Sequence, residues 1–334
     1  MAEFPTVVIN PLFPEGPEAM VDLCERFGRY GMYSQENVAS EIGQGLGQRH
    51  DSVLNFIKTG GRLGRHEDLK TLARRTNYFR EEYAYGQRTK IDGIEPYLNH
   101  EGFVDAARVV HERQIVEPAI VFANLMVPGQ ELATHTDVPE FRGASRKVMP
   151  QWLLVAMHHS GLFEPWRMPI ATGVAWFHDC DGGEFAYYPD GAFGEPVAHK
   201  VTTNTALVFD ADSVFHGVDR IASSTDDMPP LKPGMHLVYD GDRQWVALAE
   251  DDATEIARYR WDELRFSVSW KAYCFADESD RDRWKQGNDD LRLDVVLNAF
   301  IADLRTRERI LGPIPSQSEL ALMIIDEYIV FPPV

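Results

Sequence analysis

Between residues 118 and 275 the chain is built from short apolar segments separated by turn residues, and this texture restricts the fold more than any other feature. The segments are 119–127, 151–158, 173–178, 184–188, 206–210, 214–218 and 264–275, and Gly, Pro, Asn and Asp punctuate them. Many are rich in β-branched and aromatic residues. They do not alternate with amphipathic helices as βαβ units do, so an antiparallel sandwich or barrel is expected. The flanks read differently. Across residues 18–113, apolar side chains recur at three- and four-residue intervals, as in 19–27 and 103–110. Residues 277–334 return to that pattern around Leu291, Val295, Phe300 and Ile301, and again over 320–329. Residues 1–16, with Pro5, Pro11 and Pro14, read as an extended lead-in. The expected architecture is α+β with a mainly β core. A helical N-terminal layer (1–117) packs on a barrel or jelly roll (118–276), followed by a C-terminal helical extension (277–334).

Inside the β-rich half stand His135 and Asp137, in the run Glu-Leu-Ala-Thr-His-Thr-Asp. Alternate residues of a strand point to the same side, so both can face inward. His-x-Asp alone is common. Here Pro128-Gly129 supplies a turn before it, and His216, in Val-Phe-His-Gly-Val, follows at a distance that lets later strands fold back across a barrel. Two imidazoles and one carboxylate on one face of a metal leave the other face open. That suits non-haem Fe(II), which must bind a co-substrate and O₂ together. Further on, Arg265, Ser267 and Ser269 share one face of a strand while Phe266, Val268 and Trp270 take the other. An inward arginine in an apolar barrel needs an anion, because an unpaired buried charge is costly. A guanidinium grips a carboxylate through two parallel hydrogen bonds, and a nearby serine can donate a third.

Taken in order, His-x-Asp, the strand at Gly182-Gly183-Glu184-Phe185, the distal histidine and Arg-x-Ser make residues 119–275 resemble the Fe(II)/2-oxoglutarate-dependent oxygenase superfamily, in particular its prolyl-hydroxylase-like members. The resemblance spans roughly half the chain. It implies a double-stranded β-helix, a jelly-roll or cupin-like barrel. It also implies that His135, Asp137 and His216 hold Fe(II), that Arg265 with Ser267 holds the distal carboxylate of 2-oxoglutarate, and that Asn124 contacts cosubstrate or substrate. The activity implied is oxidation of a C–H bond of a small organic molecule, with O₂ consumed and succinate and CO₂ as co-products. Related halogenases lack the carboxylate ligand, so Asp137 argues against halogenation. One departure stands out. In the family the cosubstrate arginine follows the distal histidine by roughly 10 residues, by analogy, whereas here residues 217–264 intervene. Asp240-Gly241 between apolar flanks is a hairpin signal, so this segment reads as an inserted hairpin. Arg220, soon after His216, is the rival anchor, but it lacks the Arg-x-Ser context. Two other readings keep the barrel: a cupin-like metal enzyme without 2-oxoglutarate (a ring-cleaving dioxygenase or an isomerase), and a non-catalytic binding protein.

Charge and composition bound the partners. Of 334 residues, 44% are apolar, enough for a sizeable core. The formal charge of -19 repels nucleic acid and anionic membranes but says little about the small-molecule substrate that the resemblance implies, which meets a local pocket. Cys24, Cys180 and Cys274 lie far apart, form no Cys-x-x-Cys pair and read as small buried residues in a reducing, cytoplasmic setting. The N-terminus has no signal-peptide pattern, and no run of about 18 apolar residues exists to span a bilayer. Gly43, Gly45 and Gly47 have no phosphate-loop spacing and read as helix ends and turns. His158 and His159, on an expected strand, would face opposite ways as core or rim residues, and His178 and His199 have no assigned role. Trp152, Trp166, Trp176, Tyr187, Tyr188 and Trp270 read as core. The acidic runs Asp226-Asp227, Glu250-Asp251-Asp252 and Asp277-Glu278 read as solvated loops, and Arg305, Arg307 and Arg309 as an exposed helix face. The C-terminal helices are expected either to pair two subunits as a homodimer or to cap the barrel of a monomer.

Overall fold

The computed structural model describes residues 3–33, 66–86, 88–222 and 228–332. The N-terminal part runs β1 (Val7–Ile9), α1 (Glu18–Phe27), β2 (Arg29–Met32), α2 (Leu69–Thr76), β3 (Phe79–Tyr85), β4 (Arg88–Thr89), α3 (Glu95–Leu98) and α4 (Glu101–His111). The middle runs β5 (Ile115–Met126), β6 (Leu132–His135), β7 (Glu140–Phe141), α5 (Gln151–Ser160), β8 (Arg167–Met168), β9 (Ile170–Trp176), β10 (Phe185–Tyr187), β11 (Val197–His199), β12 (Thr205–Phe209) and β13 (His216–Val218). Then follow β14 (His236–Gly241), β15 (Gln244–Leu248), β16 (Glu255–Arg260), β17 (Arg265–Phe275), α6 (Glu278–Gln286), α7 (Leu293–Thr306) and α8 (Gln317–Tyr328).

Most strands form two facing antiparallel sheets, and β7 pairs with β8 in a small third one. The larger has the order β1-β12-β9-β17-β5-β3-β2-β14-β15-β16, and the smaller has β11-β10-β13-β6. This is a double-stranded β-helix, an open one: among the described residues no pairing joins the two sheets into a closed barrel. Its spine is β17, paired along its whole length with β5 on one side and with β9 on the other. Strict alternation sets what each face of β17 touches. Phe266, Val268, Trp270 and Ala272 point to the helical side and are fully buried with residues of α1, α3 and α4. There Phe103 stacks on Trp270 at 5.2 Å, and the Trp270 indole donates to the Leu98 carbonyl. Arg265, Ser267, Ser269 and Lys271 point the other way, between the sheets. That space is otherwise closed by Met126, Val174, Trp176, Phe185, Leu207, Phe209 and Val218, drawn from both sheets. A third apolar cluster joins α5 to α7 and α8.

Four expectations need correction. The span 18–113 is helical where α1 and α4 lie, as expected, but β2 and β3 within it extend the larger sheet. In β3 the sequence Phe-Arg-Glu-Glu-Tyr-Ala-Tyr loses its period of two to a bulge between Glu82 and Ala84, which hides the strand from pattern reading. Residues 151–158 form helix α5 and not a strand. A continuous apolar run such as Trp152 to Met157 fits either state. Pro150 before its first turn and Gly161 in the left-handed conformation after its last bound a helix. His158 and His159 are therefore a helical pair outside the cleft. Burial lowers them to about 3 and about 4, and His158 faces Ser213 while His159 accepts from the Val330 amide. The hairpin in 217–264 exists, but its two-residue turn is Asp242-Arg243, beyond Asp240-Gly241. Both turn residues have positive φ. The hairpin gains a third strand, β16, and β14 pairs with β2, so the segment widens the larger sheet before β17 returns to its centre. Last, Cys24 and Cys274 are buried as expected, whereas Cys180 is only partly so.

Trp176, Trp270, Tyr187 and Tyr188 are buried. Asp277 caps α6, and Arg307 and Arg309 are half-exposed and paired with Asp303, Asp326 and Glu327. Gly43, Gly45, Gly47, Asp226 and Asp227 lie outside the described residues. Among the described residues no helix is long and apolar enough to cross a membrane.

Candidate metal centre

β13 and β6 pair so that His216 lies directly opposite His135. Directly opposed residues share a face, which brings the two rings to 4.4 Å between centroids. The approach depends on Gly217. A Cβ there would sit 2.6 Å from the Leu132 carbonyl oxygen, so a side chain would push β13 off β6. Asp137 lies just beyond the end of β6, where its amide donates to the Ala211 carbonyl at 2.7 Å. Asp137 Oδ1 comes within 3.8 Å of His135 Nε2 and 4.0 Å of His216 Nε2. One ligand atom from each of the three residues falls within 4.8 Å of the others, and all three residues are buried.

The donor set fits a divalent metal on two counts. His135 Nδ1 is 2.6 Å from the Ala133 carbonyl and His216 Nδ1 is 2.8 Å from the Val214 carbonyl. A carbonyl oxygen only accepts, so both Nδ1 atoms carry the proton, and both Nε2 lone pairs face Asp137. Second, Asp137 divides its carboxylate. Oδ1 faces the imidazoles, while Oδ2 is held by Lys271 Nζ at 2.6 Å, itself 3.2 Å from Thr172 Oγ1. The ammonium supplies part of the charge compensation that a cation would provide. Lys271→Met is therefore expected to destabilise the metal-free protein by roughly 3 kcal/mol, since it strands a buried carboxylate. Saturating Zn(II) should restore most of that loss. Thermal melts with and without metal test this, and an equal metal-induced shift in variant and parent would refute it.

A cleft of about 70 Å³ surrounds these residues and opens to solvent. At its far end lies Arg265, 2% exposed. Its Nε donates to the Gly183 carbonyl at 2.9 Å and Nη1 to Ser267 Oγ at 3.2 Å. Nη2 is buried with no hydrogen-bond partner among the described residues. Gly183 is in the left-handed region, and a Cβ on it would meet Arg265 Cδ at 2.9 Å. Burial lowers the guanidinium to about 10, so it is charged at neutral pH with one donor pair unmet. Arg220, the rival, is turned away. It is bound by Glu131 at 3.0 Å and Glu67 at 3.2 Å, beside Arg75, and does not line the cleft. Asn124 does line it, but both ends of its amide are engaged: Oδ1 accepts from Arg80 Nε at 2.8 Å, and Nδ2 donates to Ser269 Oγ at 3.2 Å.

Arg80 and Lys271 are cleft residues that the sequence reading missed. Lys271 continues the alternation of Arg265, Ser267 and Ser269 and was open to discovery there. Arg80 was hidden by the helical reading of β3.

A buried acid cluster lies on the turn between β12 and β13. Arg167 pairs with Asp210 at 2.5 Å, and Ser213 Oγ also donates to Asp210. Burial alone would raise Asp210, and Arg167 overrides it, holding the carboxyl below its usual range. Burial and then Asp210 raise Asp212 to about 7, and its carboxyl oxygens have no hydrogen-bond partner among the described residues. A pKa raised in the folded state binds more protons there than in the unfolded chain. Stability from Asp212 is thus present below about 4, its ordinary range, and is lost as pH rises through about 7. Chelator-treated Asp212→Asn is expected to melt with a shallower decline between those limits, and a parallel decline would refute the assignment.

No family model and no curated protein sequence matches the chain. Among solved structures it is similar to a prolyl-4-hydroxylase from Pseudomonas putida, at 12% identity and a TM-score of 0.39, over 82% of this chain and 95% of that one. It is also similar to the non-haem alpha-ketoglutarate-dependent carbocyclase SnoK of nogalamycin biosynthesis, at 10% identity and 0.43, over 81% and 80%. A third is HygX from Streptomyces hygroscopicus with nickel and 2-oxoglutarate bound, at 10% identity and 0.39, over 81% and 83%. These are distant likenesses in fold, and what the site can do rests on the chain's own residues.

Proposed function

We propose that this chain is a non-haem Fe(II)- and 2-oxoglutarate-dependent oxygenase that hydroxylates a C–H bond of a small organic molecule in specialised metabolism. The observation that carries the reading is one cleft holding a His/Asp/His donor set at one end and a buried, partly unpaired guanidinium at the other. The overall balance is R–H + O₂ + 2-oxoglutarate → R–OH + succinate + CO₂. Fe(II) bound by His135, Asp137 and His216 would supply the O₂ activation that couples the two oxidations. The protein supplies the rest. Proton-locked Nδ1 atoms keep both Nε2 lone pairs available. Lys271 holds the second Asp137 oxygen away from the metal position. Arg265 Nη2, with Ser267, takes the distal carboxylate of 2-oxoglutarate and so orients its keto acid end toward the donor set. Met126, Leu132, Val174, Phe185 and Val218 make the walls apolar and limit water. The cleft opens to solvent, which gives a cosubstrate and a small molecule a way in.

Anaerobic reconstitution tests the reading. With Fe(II) alone the protein should be colourless. Adding 2-oxoglutarate should bring up the visible charge-transfer absorption of a chelated 2-oxo acid, and O₂ should then yield succinate. Iron binding without that absorption would favour a cupin-like enzyme that uses no 2-oxoglutarate, and failure to bind iron would favour a non-catalytic barrel.

A further inference from the structure

We infer that Arg80 is the anion-recognition group for the substrate, and that the substrate carries a carboxylate. The inference rests on the oxygenase reading in one respect, the commitment of Arg265 to 2-oxoglutarate. β3, β5 and β17 are neighbours, and Arg80, Asn124 and Ser267 stand in one cross-strand row. At the usual strand spacing, the Arg80 and Ser267 α-carbons are about 10 Å apart on the same cleft floor. The cleft thus has a second cationic position set apart from the first.

Arg80 is built to stay there as a free cation. Rings from the strands on either side surround it: Tyr33, which follows β2, lies 4.4 Å from its Cζ, and Phe122 of β5 lies 4.5 Å away. Tyr78 stands at 5.1 Å. Such contacts favour the charge and fix the plane of the guanidinium. Asn124 takes Nε and leaves the Nη edge. Among the described residues no carboxylate pairs with Arg80. The adjacent acids are directed elsewhere, Glu81 to the Gly31 amide and Glu82 to Lys90.

The charge balance of the cleft agrees. Among the described residues its lining holds three basic side chains, Arg80, Arg265 and Lys271, and one carboxylate, Asp137, which Lys271 already engages. This occurs in a chain of formal charge -19, so the positive lining is a local feature. A dicarboxylate cosubstrate answers Arg265 and the metal, and among the described residues Arg80 is left without a counter-charge. A planar carboxylate can meet the free Nη edge through two parallel hydrogen bonds, while the surrounding apolar walls receive the rest of the molecule.

The test uses the anaerobic Fe(II)·2-oxoglutarate protein and calorimetric titration. The probes are aliphatic monocarboxylates of four to ten carbons, 3-phenylpropionate, the neutral amide of each, and phenyl phosphate. The best carboxylate is expected to bind roughly tenfold or more tightly than its amide, as a charge-assisted pair requires. Arg80→Met should erase that preference and leave the 2-oxoglutarate charge-transfer titration unchanged, and Arg80→Lys should keep part of it. If no carboxylate outbinds its amide, or if phenyl phosphate outbinds every carboxylate, the inference is overturned. The same holds if Arg80→Met weakens 2-oxoglutarate as much as the probes. The parent protein's acid–amide comparison does not depend on the variants folding. Failure of the oxygenase reading shows separately, as absence of the charge-transfer absorption in the parent.

Discussion

His216→Ala is expected to lower Fe(II) affinity by at least about 100-fold and to abolish the 2-oxoglutarate charge-transfer absorption. Two donors from β6 and its extension remain, but they occupy neighbouring directions and leave the ion open to water. The variant should still fold. His216 is 6% exposed and packs on Phe209 at 5.1 Å and Phe185 at 5.6 Å, so its loss leaves a small void costing roughly 1–3 kcal/mol. His158→Ala is the control, a partly buried imidazole outside the cleft. Iron retention measured after anaerobic gel filtration separates the two. If the His216 variant holds iron as well as the His158 variant, the donor set is wrong.

Arg265→Met should weaken cosubstrate binding strongly while changing stability little. The 2-oxoglutarate dissociation constant is expected to rise at least about 100-fold, because a buried charged pair with the distal carboxylate is lost. The metal-free fold should lose no more than about 1 kcal/mol and can gain, because Met fills the space of a guanidinium whose Nη2 is buried and unpaired. Fe(II) affinity without cosubstrate should be unchanged, since Arg265 contacts none of the three donors. Charge-transfer titration and chemical denaturation read the two effects independently. Undiminished 2-oxoglutarate consumption in this variant would remove the cosubstrate role from Arg265.

Short-range pattern made much of this protein legible. The β texture, the His-x-Asp pair, the distal histidine and the alternation through Arg265, Ser267 and Ser269 are properties of neighbouring residues and of strand periodicity, and they carried through to two facing sheets with one shared cleft. Where periodicity failed, reading failed. The apolar run of α5 suits helix and strand alike, and only its ends distinguish them. The bulge in β3 broke the alternation that would have exposed Arg80.

The amino-acid order alone determined which side chains share a strand face, because a period of two is a local property of extended backbone. Tertiary structure decided which faces meet. Only the pairing of β13 with β6 puts His216 opposite His135, only the Glu67 and Glu131 carboxylates take Arg220 out of contention, and only the β3-β5-β17 order sets Arg80 in one row with Asn124 and Ser267. These contacts join residues far apart in the chain. No local propensity encodes them, and they follow from how two sheets bury their apolar faces together.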